Sequence, residues 1–113
     1  MKSIAPEDKL NPVDVDKAID AAQELGLEHS QWSILAVVDH MNAVATTGVK
    51  MLRYKEHWGH DKDLAIPIPP SPSWFDLAVA ADRIIEMSGD THHVFIENFR
   101  QDDDGNLWLE TGS

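Results

Sequence analysis

Hydrophobic positions in this chain recur at helical spacing in three places, then switch to alternation near the C-terminal end. The longest apolar run is Trp32 to Ala45, WSILAVVDHMNAVA, broken in its middle by Asp39, His40 and Asn42. Ile34, Val38, Met41, Ala45, Val49 and Leu52 follow a helical repeat, and Leu35, Val37 and Val44 make other sides of it apolar. A helix wet on one face needs only one apolar stripe, so this pattern predicts a buried central helix over about 30–58. Ser30 caps it, Thr46-Thr47-Gly48 is its weak point, and Gly59 ends it. Upstream, Val15, Ala18, Ile19, Ala22 and Leu25 predict an amphipathic helix over about 13–25, opened by Pro12 and Asp14 and stopped by Gly26. The third helix is expected over about 73–88. Ser73 caps it with Asp76 as its capping-box partner, and Gly89 closes it. Trp74, Leu77, Ala78, Ala81, Ile84 and Ile85 form its inward stripe, with Asp76, Asp82, Arg83 and Glu86 on its wet side.

Beyond Gly89 the period changes. Val94-Phe95-Ile96 and Leu107-Trp108-Leu109 flank an Asp-Gly-Asn turn, which predicts an antiparallel β-hairpin over about 92–111. Strict alternation would turn Val94, Ile96, Leu107 and Leu109 to one face, and Phe95, Phe99 and Trp108 to the other. Helices cover only one side of a hairpin, so the second apolar face is expected to meet another chain or the Pro-rich connector. That connector, residues 59–72, contains Pro67, Pro69, Pro70 and Pro72 and is expected to be extended and without regular structure. Residues 1–11 are expected to form a flexible arm. The predicted class is α+β: a single domain over 1–113, with three helices and a C-terminal antiparallel hairpin.

Composition narrows the function classes. Twenty acidic residues against nine basic ones give a formal net charge of −11. Acids dominate both ends of the chain, and only residues 46–63 are balanced, with Lys50, Arg53, Lys55 and Lys62 facing Glu56, Asp61 and Asp63 in number. Such a surface repels phosphate backbones and argues against direct nucleic-acid binding. It suits solubility, or a basic protein partner. With no cysteine, disulfides and thiol chemistry are excluded. The opening MKSIAPEDKL lacks the apolar core of a signal peptide and no stretch has the length of a membrane span, so the expected location is the cytoplasm.

Few residues carry candidate chemistry. His57 and His60, with Glu56 and Asp61, are spaced as a helical metal-binding pair, but Gly59 falls between them and no third ligand is placed. His92 and His93 are adjacent, so on a strand they point to opposite faces. Asp102-Asp103-Asp104-Gly105-Asn106 departs from a calcium loop, because its glycine is fourth and Ser113 stands where a glutamate is needed. Asp39 and His40 are consecutive on a predicted helix and do not face each other. No cofactor is expected, and the metal candidates are confined to His40, His57 and His60.

Two local resemblances bear on this. WSILAVVDHM resembles the WSxxExxxHL segment of DinB-like metal-binding four-helix bundles, which implies His40 as a ligand. That family's later HxxxH pair is absent here. GDTHHVFIENF with the terminal LWLETGS is similar to the ends of small phage-encoded accessory proteins, which implies a binding role in a host cytoplasm and no catalytic residues.

The leading expectation is therefore a non-enzymatic acidic interaction protein that self-associates or docks on a larger assembly. Phe95, Phe99, Trp108 and Leu109 are its expected interface residues, since aromatic anchors dominate such contacts. The alternatives are an acidic inhibitor occupying the basic site of a nucleic-acid-binding protein, and a DinB-like metal-dependent enzyme.

Overall fold

A computed structural model of the chain describes residues 2–4, 23, 24, 26, 27, 31, 32, 42–55, 62–89, 92, 93 and 95–112, with only the backbone at Gln31, Trp32 and Phe95. The segment NLWLETG forms the most regular strand, β6 (Asn106–Gly112). Its Leu107, Leu109 and Thr111 point into the core, and the residues between them point away. It pairs antiparallel with β5 (Phe95–Gln101) across the tight turn 102–105. The hairpin expected over 92–111 is thus present, but it is the middle of a sheet and not an appendage.

Alternation also governs Met51–Lys55, which forms β3. Leu52 and Tyr54 are buried, while Met51, Arg53 and Lys55 face the other side. β3 lies parallel to β6, with Leu52 opposite Leu107 and Arg53 opposite Trp108. β4 (Asp63–Pro67) pairs antiparallel with β3 and forms the far edge. β1 (Lys2–Ile4) and β2 (Gln31–Trp32) share the remaining side of β5. β1 is antiparallel against Phe99–Gln101, and β2 is parallel against Phe95 and Ile96. The strand order is β1-β5-β6-β3-β4, with β2 beside β5.

The expectation of three helices and a lone hairpin is therefore overturned. One helix, α1 (Trp74–Ser88), is described in full, and among the described residues strand outnumbers helix. The predicted central helix over 30–58 is not formed: Gln31–Trp32 and Met51–Lys55 are strands, and 42–50 is irregular apart from an isolated bridge at Val44. Gly48 sits at φ +76°, outside helical space, and the Ala45 N–H donates to Pro72 O instead of to its own segment. Val49 and Leu52, three apart, fit the helical period, but buried Leu52 and Tyr54 on either side of outward Arg53 set the strand. Residues 33–41 of that predicted helix lie outside the described residues, as does most of the predicted helix over 13–25. Gln23 and Glu24 are helical, and Gly26, at φ +74°, donates its N–H to Gln23 O.

The expected arm contributes β1, and the Pro-rich connector contributes β4. Pro67 is tolerated for a reason of register. Met51 N–H points toward β6, at 3.3 Å from Gly105 O, and Ile68 N–H donates to Lys50 O. Alternation along the pair then leaves the Pro67 nitrogen facing outward, where no ladder bond is lost. The same proline removes a donor from the free edge, which discourages strand addition there.

α1 forms as its sequence dictates. Ser73 Oγ accepts from Asp76 N–H at 3.0 Å, and the Asp76 carboxylate accepts from Ser73 N–H at 3.0 Å. Gly89 closes the helix in the left-handed region at φ +78°. β4 and β5 run parallel with β3 and β6 between them, so α1 is the crossover that carries the chain across the sheet. Its buried side (Trp74, Leu77, Ala78, Ala81, Ile84, Ile85) meets Leu52, Tyr54, Ile96, Phe99, Leu107 and Leu109 in one core. Tyr54 and Thr111 share a buried hydroxyl–hydroxyl bond of 2.8 Å, which satisfies both inside that layer.

Phe99 belongs to this core through a β-bulge. Ile96 pairs with Thr111 and Asn98 with Glu110, so Glu97 is an extra residue in β5. The insertion shifts the phase of the strand. Ile96 and Phe99, three residues apart, both face α1, so Phe99 leaves the expected second apolar face of the hairpin for the first while Trp108 stays on the other side. Phe99→Ala should lower stability in urea by about 3–5 kcal/mol, as for other buried Phe truncations. Deleting Glu97 should cost much less than Phe99→Ala, because it leaves Ile96 and Phe99 two residues apart on either side of Asn98, where regular alternation keeps both in the core. A deletion variant destabilised as strongly as Phe99→Ala would count against this account of the bulge.

Candidate interaction surface

The side of the sheet away from α1 is organised by Trp108. Asp102 begins the turn between β5 and β6, and its carboxylate accepts four hydrogen bonds. Oδ1 takes the Asp104 and Asn106 N–H groups at 2.9 Å each, and Oδ2 takes Asn106 Nδ2 and Trp108 Nε1 at 3.0 Å each. The indole N–H is the strongest cause holding the Asp102 carboxyl well below the usual carboxylate range. Partial burial opposes it, and the Asn106 and Asp104 donors reinforce it. The turn thereby fixes the indole ring in place. The Arg53 guanidinium lies over that ring, 4.8 Å from its centroid, and reaches Asp63 at 3.4 Å. On the other flank Arg100 pairs with Glu110, and Asn98 donates to Ser3. This face is polar and aromatic, and Arg53 Nε is buried there without a hydrogen-bond partner.

The outer side of α1 is different. Phe75, Val79 and Met87 are 40%, 45% and 43% exposed, and Val44, bridged to Ser73 at the start of the helix, is 59% exposed. Phe75, Val79, Arg83 and Met87 are each four residues apart, so they form one slanting row along the helix. A helix whose inward stripe is already buried gains nothing in stability from apolar residues on its wet side.

The expected interface residues are divided by the fold. Phe99 and Leu109 are paired in register and buried beneath α1, while Trp108 lies half-buried on the opposite face. Phe95 is opposite Gly112 in the ladder. Val79 and its row were passed over in the sequence because Asp82, Arg83 and Glu86 mark the same side as wet. The i, i+4 recurrence of Phe75 and Val79 among those charges was the available signal.

The metal candidates His40, His57 and His60 lie outside the described residues. His92 and His93 precede β5 at a bend and are not on a strand. Among the described residues, no three His, Asp or Glu side chains gather as a metal-binding group. An open cleft of about 290 Å³ lies between Lys2, Thr46, Thr47, Gln101, Asp102 and Asp103. Its polar groups bond one another: Thr46 Oγ1 donates to Gln101 Oε1, and Gln101 Nε2 donates to Thr47 O. It pairs no nucleophile with a base. No helix among the described residues is long and apolar enough to cross a membrane.

The Asp102 network gives a pH prediction. Folding depresses this carboxyl, so its stabilisation is complete above the unfolded-chain pKa of about 3.9 and is lost as pH falls toward the folded value. Asp102→Asn should lower Tm by several degrees at neutral pH, with the gap to the parent closing on acidification below about pH 4. A gap of constant size across that range would show that the charge does not hold the turn.

No family model, curated protein or solved structure matches this chain.

Proposed function

We propose that this protein is a non-enzymatic interaction module that acts by docking on a larger assembly. One observation carries the reading: the row Phe75, Val79 and Met87 on the outer side of α1, exposed although the opposite side of the helix already supplies the core. Apolar side chains there cost solubility and contribute little to folding, which is the pattern of a surface kept for a partner. Two further features support it. Among the described residues the polar cleft assembles no catalytic pair, and on the other face Asp102 holds the Trp108 indole while Arg53 lies over its ring. The high negative charge keeps such a surface soluble while the partner is absent.

The test is the hydrodynamic size of the untagged chain in an extract of cells that express it naturally. The parent should elute far above its monomer mass, and Val79→Asp should return it to the monomer position without loss of thermal stability. Elution of the parent as a monomer would overturn the reading. A Val79→Asp variant destabilised by more than about 1 kcal/mol would also count against it, since exposed sites away from structural features stay within about half that.

A further inference from the structure

We infer that the segment leading out of β4 is a second docking element, a proline ridge that seats in an aromatic-lined groove of a partner protein. It does not involve the outer row of α1 and goes beyond the reading above. Residues 66–70 read Ile-Pro-Ile-Pro-Pro. Each proline fixes its own φ and holds the residue before it extended, which keeps this stretch near polyproline II, a left-handed helix of three residues per turn. Such a helix has three edges. Pro67 and Pro70 share one, Ile66 and Pro69 share a second, and Ile68 stands on the third. The fold buries the third edge and leaves the other two outside. Ile68 is 9% exposed, Ile66 is half-buried, and Pro67, Pro69 and Pro70 are exposed. Strand alternation would turn Pro70 inward with Ile66 and Ile68, so its exposure follows the three-residue period.

The chemistry of this ridge selects its occupant. Pro67 lacks the N–H that a further strand or a second copy of β4 would need at that position. A residue in a strand points its nitrogen and its carbonyl to the same side, so the Pro67 carbonyl opens to the outer edge of β4 as an acceptor. Exposed proline rings beside such an acceptor suit a groove walled by Trp and Tyr, whose flat faces take the rings and whose N–H or O–H donates to the carbonyl. The ridge is also held in shape before any partner arrives. Ile68 N–H donates to Lys50 O at 3.0 Å, and buried Pro72 accepts the Ala45 N–H at 2.8 Å. Little ordering entropy is then lost on docking.

The probe is an array of purified SH3, WW and EVH1 domains, whose grooves are of this kind, titrated with the labelled full-length protein. The expected result is saturable binding to a subset of the domains. It should weaken about tenfold or more with Pro67→Ala or Pro70→Ala, a change of about 1.4 kcal/mol. Ile68→Val, on the buried edge, should bind as the parent does. Thermal melts verify that each variant folds, and Pro69→Ala replaces any proline variant that does not. Binding to none of the domains would overturn the inference, as would binding that both proline variants retain in full. Loss of binding with Val79→Asp would also overturn it, by giving the contact to α1. Array binding without a large species in cell extract would keep the proline ridge and remove the helix row. A large species that Val79→Asp disperses, with no array binding, would do the reverse.

Discussion

The carbonyl of Gly105 holds the sheet together. It accepts the Lys50 N–H at 2.7 Å and the Met51 N–H at 3.3 Å, and so joins the turn of the β5–β6 hairpin to the start of β3. The parallel pairing of β3 with β6 runs on from that point. Glycine is favoured there because φ is +86°, in the left-handed region that other residues rarely adopt. Asp102 closes the other side of the turn. Its carboxylate gathers the Asp104, Asn106 and Trp108 donors, and its own N–H donates to Asn106 O. A four-residue turn thus sets both the hairpin register and the position of the neighbouring strand.

Once β3 is fixed beside β6, the rest of the layer arrangement follows. β4 pairs back on β3, and α1 crosses the sheet to reach β5 on the far side of β6. Among the described residues, α1 covers one face of the sheet, with Leu27 in the same core. It succeeds because the Glu97 bulge brings Ile96 and Phe99 to the same side, so the apolar content of the hairpin is concentrated under α1. Among the described residues, the other face carries Arg53 over the Trp108 ring and the Arg100–Glu110 pair. The inner side of α1 supplies the core, and the outer row of Phe75, Val79 and Met87 is exposed.

That division separates the two aromatic surfaces in kind. Trp108 is held by Asp102 and covered in part by Arg53, so its ring is a piece of the scaffold. Val79 and Met87 have no comparable polar clamp and lie on a regular helix, a rigid element suited to presenting a docking ridge.

The sequence by itself determined the elements whose signals are local. Helix α1 was readable to within a residue, from Ser73 and Asp76 at one end and Gly89 at the other, because caps are made by neighbours in the chain. The hairpin was readable from its turn residues for the same reason. The −11 charge and the lack of cysteine followed directly from composition. What only the tertiary structure decided was the state of segments whose pattern suits two periods. Val49 and Leu52 fit a helix, yet the carbonyl of Gly105 and the edge of β4 recruit Met51–Lys55 as a strand through partners far along the chain. Pro67 reads as a breaker until its register shows that no bond is lost. Phe99 reads as an outward residue until the bulge at Glu97, invisible to strict alternation, turns it inward. The physical reason is common to all three: strand pairing is a long-range contract between backbones, and a local period cannot say which partner will arrive.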